Sequence, residues 1–222
     1  METTRVMRAS GAAGVLAAVL ILSGLYLSTA WSRPSIDADG EALAAWVQRE
    51  EFAIESGVYY LLVPGLVLFL CMFAALARLL PVDGMSTRLA GYGVVVFFIF
   101  LTTAGVLSST TASTFGFYNG FEDPTGVTVF TGLSAGYHLQ AMGIWGLAIT
   151  MLATAVGLRY SAAISSASYV ASIVLAALAV AATWVGAGIV PCLVWMVAVG
   201  AWLLRWTPSR GAAIGPIADA RT

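Results

Sequence analysis

GLSAGYHLQAMGIWGLAITMLATAVGL, residues 132–158, contains no Asp, Glu, Lys or Arg. A helix needs roughly 20 mostly apolar residues to cross a hydrocarbon core, and this run exceeds that length. Lipid is therefore its natural solvent. Comparable stretches lie on either side, at about 11–31, 58–77, 89–110, 167–186 and 188–206. The chain reads as one all-α transmembrane domain of six spans over residues 1–222, closed by a flexible tail at 207–222. Composition agrees: 60% of residues are hydrophobic and 9% charged, against about a quarter charged in soluble domains.

The last two spans are joined only by Gly186-Ala187-Gly188, whose glycines suit a tight hairpin. A re-entrant segment is the alternative there. For the first span the alternative is a signal peptide, with Arg5 and Arg8 as its basic start and Ser28-Thr29-Ala30 as a small-residue cleavage site. Its apolar run is longer than the usual stretch of about 7 to 15 residues, which favours a retained helix.

Basic residues accumulate in cytoplasmic loops. All the basic residues are arginine, and Arg5, Arg8, Arg78, Arg88, Arg159, Arg205, Arg210 and Arg221 fall on one side of a six-span layout. Arg33 and Arg49 alone fall on the other, among Asp37, Asp39, Glu41, Glu50, Glu51 and Glu55. Both termini are thus expected in the cytoplasm. Between the first two spans, residues 40–56 read as a short amphipathic outer helix. Asp39 is placed to cap it, and Leu43, Trp46, Val47 and Ile54 gather loosely on one side.

Lipid supplies no hydrophobic force between helices, so small side chains and interhelical hydrogen bonds must hold the bundle. On the fourth span Gly132, Gly136, Gln140, Gly143, Thr150, Thr154 and Gly157 fall on one stripe. On the fifth, Ser168, Ser172, Ala176, Ala179, Thr183 and Gly186 do the same. Both stripes are expected to face protein.

No Asp, Glu, Lys or Arg sits in the interior of any span, which argues against a proton pump, a voltage sensor or a carboxylate-driven antiporter. The net charge of −1 gives no basic excess from which to argue for nucleic acid. Metalloprotease, nucleophile-elbow and phosphate-loop motifs are missing, and Cys71 and Cys192 lie apart in apolar runs. Enzyme activity is disfavoured, and no cofactor or metal is expected. One candidate site remains, an outer mouth built from His138 and Tyr137 with Tyr118, Asn119, Glu122 and Asp123 of the preceding loop. Against it stands a plain structural role, in which Asp123-Pro124-Thr125-Gly126 makes a turn and His138 only satisfies its hydrogen bonds. The hydroxyl-rich run Thr102 to Thr111 either lines a hydrated vestibule or bonds to its own backbone and to neighbouring helices.

The outer helix at 40–56 leading into the second span, the inner turn from Arg78 to Arg88, Arg159 after the fourth span and the closing Trp202-Leu203-Leu204-Arg205 resemble a known layout. It is that of uncharacterised six-helix bacterial membrane proteins grouped as domains of unknown function. The resemblance implies a multi-pass protein of the bacterial plasma membrane and brings no catalytic residues. In size and helix count, with a small-residue row at Ala9, Ala13 and Ala17, the chain is also similar to the substrate-capturing subunits of energy-coupling-factor vitamin transporters. The leading expectation is an accessory subunit, or a bundle binding a lipid-like or small apolar ligand from the outer leaflet. The alternative is a transporter component that captures a small solute. The expected partners are the lipid bilayer and another membrane protein or a second copy of this chain.

Overall fold

The computed structural model describes residues 2–34, 38–82, 84–117 and 126–207, and among these every regular element is a helix. They are α1 (Glu2–Thr29), α2 (Gly40–Ser56), a π-helical segment (Gly57–Leu62), α3 (Val63–Ala77), α4 (Met85–Phe117), α5 (Gly126–Tyr160), α6 (Ser166–Thr183) and α7 (Ile189–Leu204). Five helical stretches are long and apolar enough to cross a membrane, and α7, with 16 residues, is a shorter apolar helix. Most of the tail at 207–222 lies outside the described residues.

Side chains on the outward faces are themselves apolar: Leu16, Leu22, Val95, Ile99, Trp145 and Leu178 are all exposed. Water would disfavour such a surface, and lipid suits it. Around the bundle the helices follow the order α3, α1, α7, α6, α5, α4, with α3 returning to touch α4. Inside the ring Phe69 of α3 meets Phe97 of α4 edge to face at 5.2 Å, among buried Met72, Leu147, Met151 and Met196.

The sequence reads helix 40–56 and the second span as separate elements, but the structure joins them into one 38-residue helix from Gly40 to Ala77. Gly57 keeps right-handed helical angles (φ −59°, ψ −41°), so nothing breaks there. The extra residue is absorbed by widening the turn: the Val63 N–H donates to the Val58 carbonyl, five residues back. At 1.5 Å per residue this helix is about 57 Å long, against about 30 Å of hydrocarbon. The surplus is α2. Asp39 Oδ1 accepts from the Ala42 N–H at 2.8 Å and caps it. Its apolar face of Leu43, Trp46, Val47 and Ile54 packs on Val129 and Leu133 of α5, which like α4 is long enough to overhang. Below, this end of the bundle is called the α2 end.

Close backbone approach sets the helix crossings. A Cβ on Gly11 would stand 2.6 Å from the Gly200 carbonyl, and one on Gly200 would stand 2.7 Å from the Gly11 carbonyl, which fixes α1 on α7. The same reciprocity joins Gly24 of α1 to Gly57 of the π segment, and Gly93 of α4 to Gly146 of α5. Next to the last crossing, the Thr150 hydroxyl lies 3.2 Å from the Ala90 carbonyl of α4, an interhelical hydrogen bond. Where α6 turns into α7, Gly186 takes a left-handed φ of +76°. Its N–H donates to the Thr183 carbonyl and the Ala187 N–H to the Ala182 carbonyl, a closure that favours glycine. The two helices then run antiparallel between the ends of the bundle.

On α5 the structure places Gly136, Gly143, Thr150, Thr154 and Gly157 in buried positions, with Gly132 and Gln140 half-buried. On α6 Ala176 is buried and Ser172 half-buried. Among the α5 glycines the tightest approach to the α4 backbone is made by Gly146, which shares the face of Gly143 and Thr150 but was not among the residues named from the sequence. A Cβ there would lie 2.8 Å from Phe97 N, whereas one on Gly143 would meet Leu101 N and the Phe97 carbonyl at an ordinary 3.4 Å. Gly146→Ala is therefore expected to lower the thermal midpoint in detergent, by an overpacking cost of about 1–3 kcal/mol. Gly143→Ala is expected to leave it unchanged or raise it slightly. Equal melting of the two variants contradicts the assigned crossing.

Candidate functional site

Where α1 ends, the chain folds back over its own terminus. Ser28 and Thr29 each donate a hydroxyl to the Leu25 carbonyl, at 3.3 and 2.6 Å. The Ala30 and Trp31 N–H groups both donate to the Tyr26 carbonyl at 2.9 Å. Ser32 then takes a left-handed φ of +48°, rare for a residue with a side chain, and Arg33 follows. A contact from α2 holds this turn: Trp46 Nε1 donates to the Trp31 carbonyl at 2.9 Å, and the Glu50 carboxylate lies close enough to Ser32 for the hydroxyl to lower its pKa.

Arg33 is thereby set at the rim of a cavity of about 270 Å³ at the α2 end. Its walls are Leu25 and Ser28 of α1, Ala104 and Ser108 of α4, Gly136, Tyr137 and Gln140 of α5, and Gly186 in the α6–α7 turn. Gly136 leaves room there, since a Cβ would stand 3.2 Å from Ser108 Oγ. The Tyr137 hydroxyl donates to the Thr183 carbonyl at 2.8 Å and ties α5 to the end of α6. One to two turns deeper, Ile21, Leu101, Ile144 and Leu147 are buried and close the floor.

The chemistry of the lining is one-sided. The Ser28, Thr29 and Ser108 hydroxyl protons go to backbone carbonyls of their own helix, leaving oxygen lone pairs as acceptors. Gln140 is half-buried and makes no side-chain hydrogen bond among the described residues, so both faces of its amide are available. Arg33 makes no ion pair among the described residues, where the salt bridge formed is Arg49 to Glu50 at 3.0 Å. Among the described residues the wall has no carboxylate, imidazole or thiol. Such a wall suits a polar group that both donates and accepts, with an anionic part placed only at the donors Arg33 and Gln140, and it offers no acid–base pair for catalysis.

His138 stands beside this cavity and outside it. Its ring is exposed, with Nδ1 2.8 Å from the Ser134 carbonyl and an edge-on contact to Tyr137 at 5.7 Å. One residue along a helix turns the side chain by about 100°, which separates Tyr137 in the wall from His138 on the surface. Tyr118, Asn119, Glu122 and Asp123 lie outside the described residues. Gly132 abuts Thr111 of α4. In the hydroxyl-rich run of α4, Thr103, Ser108, Ser109 and Thr111 all bond backbone carbonyls of their own helix, and Ser108 also faces the cavity. Among the described residues no three His, Cys, Asp or Glu side chains come together as a metal site. Arg33, Ser28 and Leu25 were not singled out from the sequence. The available signal was Arg33 itself, an arginine placed just past a span on the arginine-poor side.

At the opposite end a smaller cavity of about 190 Å³ lies between α5, α6 and α7, lined by Thr154, Ser168, Ser172, Trp195 and Trp202. The Thr154 hydroxyl is fully buried with no hydrogen-bond partner. Comparison of the chain with protein-family models, curated proteins and solved structures returns no significant match.

Two predictions follow from these geometries. Thr154→Val removes an orphaned hydroxyl at constant shape, so the thermal midpoint is expected to hold or rise by the equivalent of about 1 kcal/mol. A fall of that size shows that the hydroxyl has a partner. The second concerns Glu50, whose carboxyl is held below its ordinary value of 4.5 first by the hydrogen bond from Ser32 and then by that from Arg49. A depressed carboxylate adds stability above its unfolded-state pKa, and that stability is lost as pH falls through the lowered folded value. Amide protection at Trp31, Ser32 and Arg33, corrected for intrinsic exchange, is expected to drop between about pH 6 and pH 3. In Glu50→Ala it should already be low at the higher pH. Equal protection of the native chain at both pH values removes the clamp.

Proposed function

We propose that the protein is a multi-pass component of the bacterial plasma membrane that binds an amphiphile in the α2-end cavity and acts as a binding or accessory subunit. The observation that carries this reading is a polar-walled cavity at whose rim stands a guanidinium with no ion pair among the described residues, set into the end of a bundle whose outward faces are apolar. The arginine asymmetry supports placing both termini inside and the α2 end outside. There the cavity meets the outer leaflet, where headgroups meet hydrocarbon. The layout shared with six-helix bacterial membrane proteins supports the same location.

Capture of a small solute draws on the same cavity. The buried layer of Leu62, Phe69, Phe97, Leu101 and Leu147 leaves no polar route onward, which favours binding over conduction.

Mass spectrometry of the protein purified in a gentle detergent tests the reading. A co-purifying lipid-like molecule at near-stoichiometric level is expected from the native chain. Gly136→Leu projects a side chain into the cavity beside Ser108 and should reduce that level about tenfold, on the order of the 1.4 kcal/mol that one lost polar contact represents. Unchanged melting of the variant shows that its fold is intact. Absence of any bound molecule from the native protein, or equal retention by the variant, overturns the proposal.

A further inference from the structure

A cavity of about 270 Å³ is smaller than the pockets of ~300 Å³ upward that enclose a whole drug-sized ligand. It has room for a head group and not for a chain. The chain has a place close by. On the α2 side of the Gly11–Gly200 crossing, α1 and α7 form an apolar groove of about 330 Å³ that opens sideways from the bundle. Val19 and Leu22 of α1 and Val190, Val194 and Val197 of α7 line it, each about half exposed.

Cavity and groove adjoin on two elements. Leu22 in the groove is one helical turn, about 4.5 Å, from Leu25 in the cavity wall. Val190 in the groove is four residues on from Gly186 in the wall, across the α6–α7 turn. A molecule with its polar end against Arg33 and Gln140 therefore runs its apolar end down between α1 and α7.

Charge selects the head. Among the described residues Arg33 is the one formally charged side chain in the wall and makes no ion pair, while nearby Glu50 is paired with Arg49. Guanidinium and amide donors together suit a phosphate or carboxylate, which accepts several hydrogen bonds at once.

We infer that the cavity takes the anionic head of a membrane phospholipid, with Arg33 as its charge partner, and that one acyl chain of that lipid lies in the α1–α7 groove. This rests on the amphiphile reading above and names its ligand class.

Native mass spectrometry of the full chain in detergent tests it, using phosphatidylglycerol, phosphatidylcholine with the same acyl chains, and free glycerol phosphate as probes. Phosphatidylglycerol is expected to bind at least about tenfold more tightly than phosphatidylcholine, the order of one charge-assisted hydrogen bond. Arg33→Gln should bring that preference to within about twofold while leaving phosphatidylcholine bound, and Arg33→Lys should restore part of it, because lysine keeps the charge and loses the fork. Val194→Trp, which fills the groove, should weaken both lipids by a similar factor. Glycerol phosphate at the same concentration should not bind. A preference that survives Arg33→Gln overturns the assignment, as does glycerol phosphate binding as tightly as the lipid, which marks a soluble phosphate as the ligand. Equal binding of the two lipids removes the anionic head and leaves the amphiphile reading standing. Failure of both lipids to bind removes that reading as well.

Discussion

Backbone-to-backbone contact between glycines is the constraint on which the rest of this structure depends. Apolar helices in an apolar solvent gain nothing from burying leucine against leucine, so association falls to close packing and a few hydrogen bonds. Gly11 with Gly200, Gly24 with Gly57 and Gly93 with Gly146 each bring a carbonyl to within 3 Å of where the partner's Cβ would sit. Two of these crossings act on α1. It is held to α7 near its start and to the π segment near its end, so the position of its last turn is fixed relative to everything that surrounds the cavity.

From that fixed turn the structure builds outward through α2. Leu25 and Tyr26 carbonyls gather the ends of Ser28, Thr29, Ala30 and Trp31, and α2 then grips the turn through Trp46 and Glu50. For this grip α2 must present Trp46 to Trp31 while its apolar side faces α5, and the π segment supplies that orientation. Buried residues at Ile54, Val58, Leu62 and Leu66 recur every four positions. In a regular α-helix such a series drifts by about 40° per step, whereas a π turn, with more residues per turn, absorbs the drift. The widened turn therefore lets one continuous helix pack along both α1 and the overhanging ends of α4 and α5.

How much of this was legible follows from the range of each signal. Runs of apolar residues are a local signal, so the apolar helices and the helix at 40–56 with its Asp39 cap were readable residue by residue. The π segment left the four-residue recurrence of Ile54, Val58, Leu62 and Leu66, which a search for a boundary at Gly57 passes over. Gly146, three residues after Gly143 and four before Thr150, lies on the same stripe as they do, and what the spacing alone does not say is which of these small residues meets the α4 backbone most closely. The cavity was the least legible. Its wall draws on Ser28, Arg33, Ser108, Tyr137 and Gly186, far apart in the chain and brought together only by the order of the helices. Periodicity on one helix finds Gly136 and Gln140, but nothing on that helix announces the arginine they face.

A bundle free of interior charge is expected to be inert throughout, and the α2 end departs from that for a physical reason. Hydroxyls on α1 and α4 there return their protons to their own helix carbonyls, so each helix stays internally satisfied while its oxygen lone pairs line a hollow. A guanidinium in such a wall would be costly at mid-membrane depth. At the end of the bundle, on a turn held by α2, it remains solvated and needs no carboxylate partner. Among the described residues Arg33 and the Gln140 amide both stand without a partner, so the donors of this wall are Arg33 and Gln140 while its hydroxyls only accept.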